Sequence, residues 1–75
     1  MFTIKVVEQS SGRPCSGNKV QVFFDVFFRG HTSSQYTDNE GEAHFDYDNG
    51  DGTIYVQGKK VYVGEIRGRK IVYID

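Results

Sequence analysis

The sequence predicts an all-β fold, a single seven-stranded antiparallel β-sandwich over residues 1-75, with a small barrel as the alternative closure. Apolar residues recur at period two, and Gly, Asp and Asn interrupt every window long enough for a helix. Six Phe and five Tyr stand beside many Val and Ile, with one Pro and nine Gly, which is the composition of strands joined by tight turns. Turn signals separate the apolar runs at a spacing that suits a sandwich or barrel. A chain of 75 residues has room for one domain, burying only about 60% of the surface its unfolded form exposes, so its core is thin.

Taken in order, Phe2 to Glu8 alternates with Phe2, Ile4 and Val6 on one face, and Ser10-Ser11-Gly12-Arg13-Pro14 ends it. Lys19 to Phe28 is the longest apolar segment, with Val20, Val22, Phe24, Val26 and Phe28 sharing the core face. Phe23, Asp25 and Phe27 then point the other way, so two aromatics face outward. At about 3.3 Å per residue this segment would run ~33 Å, longer than most strands. A bulge that reverses parity and tucks Phe23 or Phe27 inside is therefore an alternative. A turn follows at Arg29 to Ser34, then a short strand at Gln35 to Thr37. The hairpin Thr37-Asp38-Asn39-Glu40-Gly41 leads into Glu42 to Asp48, with Ala43, Phe45 and Tyr47 inward. Asn49-Gly50-Asp51-Gly52 reads as another turn. Thr53 to Gln57, Val61 to Ile66 and Lys70 to Ile74 read as a meander joined at Gly58-Lys59 and Arg67-Gly68-Arg69. These last three strands carry apolar groups on both faces, so the outer face is expected to meet another chain.

Net charge is −1, which gives the whole surface no field that would attract nucleic acid or anionic lipid. The charges are segregated: Asp38, Glu40, Glu42, Asp46, Asp48 and Asp51 follow one another without a cation, while Lys59, Lys60, Arg67, Arg69 and Lys70 cluster later around Glu65. Cys15 is the only cysteine, so no internal disulfide is available and chemistry that needs paired thiols is excluded. The first residues show no signal-peptide pattern and no apolar run reaches the length of a membrane span. A chain that is a complete reading frame is expected to stay in the cytoplasm.

The sequence offers no catalytic constellation, and no cofactor or metal is expected. Glu42, His44 and Asp46 share one face of a strand, as alternation with a solvated face already requires. The run Asp46 to Gly52 resembles a calcium loop at its first positions but departs at the fifth, sixth and twelfth, where Gly50, Asp51 and Gln57 stand. Arg67-Gly68-Arg69-Lys70 with Tyr62 and Tyr73 contains the ingredients of a basic turn flanked by stacking rings, so single-stranded nucleic acid is the alternative partner.

Two stretches resemble a known family. Gly12-x-Pro14-x-x-Gly17-x-x-Val20-x-Val22 and Thr37-Asp38-x-x-Gly41-x-Ala43-x-Phe45 are similar to the carboxypeptidase regulatory-like and transthyretin-like modules, over residues from about 3 to 47. The resemblance implies a prealbumin-like sandwich, with an immunoglobulin-like one as the near alternative. It also implies a non-catalytic accessory role as spacer, binding platform or stabiliser of a neighbouring domain. After Tyr47 the chain departs from the family pattern.

Together these readings lead to the expectation of a non-catalytic binding or structural module that contacts a protein partner or a second copy of itself, without a membrane. Phe23, Phe27, Tyr55, Tyr62 and Tyr73 are the candidate contact residues, since exposed aromatics mark interfaces.

Overall fold

Seven strands form in the computed structural model, which describes residues 1–24, 32 and 34–75. They are β1 (Phe2–Glu8), β2 (Lys19–Phe24), β3 (Gln35–Tyr36), β4 (Glu42–Phe45), β5 (Gly50–Val56), β6 (Lys59–Ile66) and β7 (Gly68–Ile74). Two sheets result, one in the order β4-β1-β7 and the other in the order β3-β2-β5-β6. They are separate layers rather than a closed barrel. Val26, Phe27, Phe28, His31 and the expected turn from Arg29 lie outside the described residues, as does any bulge beyond Phe24. From Lys19 to Phe24 the strand alternates without a break.

Two sequence expectations are corrected by the topology. The sheets are not wholly antiparallel: β7 runs parallel to β1, in register from Phe2 against Gly68 to Glu8 against Ile74. Nor do the last three strands form a meander. β5 and β6 are a hairpin, but a single residue, Arg67, then carries the chain into the other sheet, and Gly68 makes the corner with φ +57°. β1 is already paired with β4 on one side, so its other edge is open to receive β7. A parallel partner can occupy that edge only because the rest of the chain serves as the crossover.

The core follows the alternation read from the sequence. Phe2, Ile4 and Val6 from β1, Val20, Val22 and Phe24 from β2, Ala43 and Phe45 from β4, Ile54 and Val56 from β5, Ile66 from β6 and Val72 from β7 form one buried cluster. Phe2 stacks on Phe45 at 5.2 Å between ring centroids and meets Phe24 edge-on at 6.2 Å. Tyr47, expected inward, lies beyond the end of β4 and is exposed, its ring 6.3 Å from that of Phe24.

Gly50 and Gly52, expected in a turn, belong to β5 instead. A Cβ on Gly52 would come 2.5 Å from the Phe23 carbonyl oxygen, so this glycine permits a close approach of two backbones rather than a reversal of the chain. The β5–β6 hairpin turns on Gln57 and Gly58, with φ of 52° and 80°, the two positive angles of a type I′ turn. Gln57 occupies a position that favours Asn or Gly, but its longer side chain reaches the Lys19 amide, which donates to Oε1 at 2.6 Å. In β6 the register shifts by one residue against β5 between Ile54 and Tyr55, with Tyr62 and Lys60 as their partners, leaving Val61 as the bulged residue.

The turn at Asp38 to Gly41 takes the form its sequence suggests. The Glu40 and Glu42 amides donate to Asp38 Oδ1 at 2.9 and 3.0 Å, and Gly41 has φ +75°. The Gly41 carbonyl accepts from the Val6 amide at 2.8 Å, continuing the β1–β4 ladder, and Val6 in turn accepts from the Cys15 amide at 2.9 Å. Thr37, buried beside this junction, donates to the Cys15 carbonyl at 2.6 Å and accepts from the Asn18 amide at 2.9 Å. A Cβ on Gly41 would lie 2.7 Å from the Val6 carbonyl oxygen and 2.9 Å from Pro14 Cβ. Gly41→Ala therefore meets both left-handed strain and a backbone clash. Chemical denaturation should show a loss of about 2–4 kcal/mol.

Candidate functional site

Alternation places Lys19, Gln21 and Phe23 of β2, Asp51, Thr53 and Tyr55 of β5, and Val63 and Glu65 of β6 on the outer face of the four-stranded sheet. Cross-strand register brings Phe23, Thr53 and Val63 into one row, with Gln21 and Tyr55 in the next. Phe23 is 40% exposed and Val63 is 59% exposed. Tyr55 is half-buried because the Phe23 ring leans against it edge-to-face, at 5.1 Å between centroids. Beside them Lys19, Gln21, Phe23, Tyr55 and Gly58 line a shallow depression of about 310 Å³. A solvated sheet face is ordinarily polar, and here Phe23, Tyr55 and Val63 form an apolar patch at its centre.

The five aromatic contact candidates do not form one surface. Phe23 and Tyr55 share the outer face just described, and Phe27 lies outside the described residues. Tyr73 is exposed on the outer face of the three-stranded sheet. Tyr62 is drawn to the inner side of β6, opposite buried Ile54, where its hydroxyl donates to the Glu65 carbonyl at 2.9 Å. Gly64 makes room for it, since a Cβ there would meet the Tyr62 hydroxyl at 2.7 Å. Val63, absent from the sequence candidates, is exposed because the Val61 bulge resets the alternation of β6.

The cations of the Arg67-Gly68-Arg69-Lys70 turn point in different directions. Arg67 lies 3.5 Å from Glu65. Arg69, on the outer face of the three-stranded sheet, reaches across β1 to Glu42 at 2.9 Å. Lys70 faces inward, its Nζ 4.0 Å from the centre of the Tyr62 ring. The acidic and basic segments of the sequence thus meet through Arg69 and Glu42.

On the outer face near Glu42, the grouping Glu42, His44 and Asp46 suggested by spacing is replaced by Asp38, Glu42 and His44. The ligand atoms of these three lie within 4.8 Å of one another. His44 Nδ1 lies 2.9 Å from Thr3 Oγ1, and His44 Nε2 lies 3.7 Å from Asp38 and 3.9 Å from Glu42. Asp38 and His44 are open to solvent, and the Arg69 guanidinium already supplies positive charge to Glu42, so the group reads as a surface charge network. Asp46 leaves the face because β4 ends at Phe45. Cys15 packs its side chain against the core, with its thiol 3.8 Å from the Arg13 carbonyl.

No protein-family model, curated protein or solved structure matches this chain. No helix long and apolar enough to cross a membrane occurs among the described residues.

The Glu42 and Glu40 amides hold the Asp38 carboxyl below its ordinary value of 3.8, helped by the nearby His44. The depressed value means that the charged turn stabilises the fold fully above 3.8 and loses that contribution as pH falls through the folded-state value below it. Asp38→Asn should be less stable than the parent chain at neutral pH. The gap measured by thermal unfolding should close as the pH is taken below 3.8.

Proposed function

We propose that the chain is a non-catalytic β-sandwich module that makes protein–protein contact through the outer face of its four-stranded sheet. The observation that carries this reading is the apolar patch of Phe23, Tyr55 and Val63 on a face that solvent alone would keep polar. Aromatic and branched apolar groups framed by charge, here Lys19, Asp51, Lys60 and Glu65, have the composition of an interface core with a polar rim. The seven strands in two sheets suit the sandwich that the transthyretin-like and carboxypeptidase regulatory-like resemblance implies. Nucleic-acid binding by the basic turn is the weaker reading, because Arg67, Arg69 and Lys70 diverge and each is engaged within the chain.

The contact can be tested with the protein alone. Multi-angle light scattering across a concentration series should show species larger than the 8.5 kDa chain. Phe23→Lys combined with Val63→Lys should shift them toward monomer while leaving the circular dichroism spectrum unchanged. Monomeric scattering by the parent chain at its highest soluble concentration would remove self-contact through this face.

A further inference from the structure

Among the described residues the two sheets end in four edge strands, and three of them are protected. β3 and β4 are short, with two and four residues. β6 is interrupted by the Val61 bulge and by Gly64 at φ +147°, and it begins with Lys59 and Lys60. These are the ordinary devices by which sheets discourage edge pairing. β7 differs. It is seven residues long and keeps unbroken register with β1 over its whole length. Its later half, Ile71-Val72-Tyr73-Ile74, carries no charge. Lys70, the charge on its inward row, is drawn onto the Tyr62 ring, away from the edge.

The backbone shows which groups are open. The Ile74 carbonyl accepts from the Gln9 amide at 2.7 Å, so Ile74, and with it Val72 and Lys70, turns its backbone groups toward β1. In a parallel ladder the alternate residues face the other way. Arg69, Ile71 and Tyr73 therefore present their amides and carbonyls to the free edge, where no strand pairs among the described residues. Their side chains share the outer face, with Ile71 42% and Tyr73 57% exposed.

We propose that this edge pairs antiparallel with β7 of a second copy about a two-fold axis through Val72, joining the three-stranded sheets into one of six strands. Sequence complementarity selects that axis. It sets Ile71 opposite Tyr73 of the second copy, and Arg69 opposite Asp75 of the second copy, each twice by symmetry. Branched–aromatic and opposite-charge pairs are the favourable cross-strand combinations, and residues of this parity form the hydrogen-bonded pairs. An axis through Ile71 would instead set Ile71 opposite itself and Arg69 opposite Tyr73 of the second copy, with no opposite-charge pair along β7. An axis through Tyr73 would set Ile71 against Asp75. The Arg69 guanidinium, which contacts Glu42 across β1 in the single chain, is 57% exposed and swings from Glu42 to the free edge to meet Asp75 of the second copy. This surface is separate from the Phe23 face, so substitutions on one leave the other intact and distinguish the two readings.

Sedimentation equilibrium on the full chain tests the pairing. Asp75→Arg and Arg69→Glu each place like charges opposite one another twice, and each should weaken the dimer roughly tenfold. An equal mixture of the two variants restores both opposite-charge pairs and should recover parental affinity. Amide exchange at Ile71 and Tyr73 should slow with protein concentration in the parent chain. A dimer indifferent to both substitutions, or not restored by mixing, would overturn the edge and its register. A dimer lost only on Phe23→Lys with Val63→Lys would place association on the other face and overturn this proposal alone. A parent chain that remains monomeric with fast exchange at Ile71 and Tyr73 would also overturn it.

Discussion

The parallel ladder between β1 and β7 is the constraint on which the rest of the molecule depends. It joins the first strand to the last along the full length of both, in a chain with neither a disulfide nor a large core to hold it closed. Because β7 is drawn to β1, it cannot continue the β5–β6 hairpin, and the chain must cross between sheets at Arg67 and Gly68. That crossing leaves β6 and β7 as edges and orients Tyr62 and Lys70 into the gap between them. It also brings Arg69 across β1 to Glu42. The charge network, the filled corner and the open edge therefore share one topological cause.

The opposite side of β1 is secured differently. Beyond Lys5 the β4 ladder passes to Gly41 and then to the returning segment at Arg13 to Cys15, whose backbone takes up the remaining hydrogen bonds of β1. Asp38, Thr37 and Gly41 each have a local task in that junction: capping two amides, bridging Asn18 to Cys15, and allowing backbones to touch. This explains why a conspicuous motif carries no chemistry. Asp38 Oδ1 and the Thr37 hydroxyl are spent on backbone groups, and the glycine is required by space as well as by φ. Among the described residues, the parts that can act on other molecules are the outer faces of the sheets and the edge of β7.

The distribution of aromatic residues reflects the same division. Phe2, Phe24 and Phe45 fill the core by ring contacts, where each aromatic buries a large apolar area. Phe23 and Tyr55 settle on the outside against each other, Tyr62 turns inward to close the corner, and Tyr73 stands on the edge strand. Residues that look equivalent in the sequence, each a Tyr within a β-branched run, thus come to occupy three environments. Their environment is set by the strand's parity and neighbours, and these change wherever a bulge or crossing intervenes.

Much of the fold was legible in the sequence because period-two alternation is a local consequence of strand geometry: Phe2, Ile4, Val6, Val20, Val22, Phe24, Ala43 and Phe45 are all buried as their spacing implies. The turn at Asp38 was legible for the same reason, since an Asx cap and a positive-φ glycine act over only a few residues. By itself, then, the sequence determined the strand content, the inward rows and the local turns. The tertiary structure decided the parallel partner of β1, the bulge that exposes Val63, the exchange of Asp46 for Asp38 beside His44, and the use of Gly52 for backbone contact rather than a turn. Each of these depends on residues far apart in the chain meeting in a particular register, and a one-residue change of register moves every side chain of a strand to the opposite face. No local pattern carries that information, because pairing is chosen by the best joint burial of all seven strands.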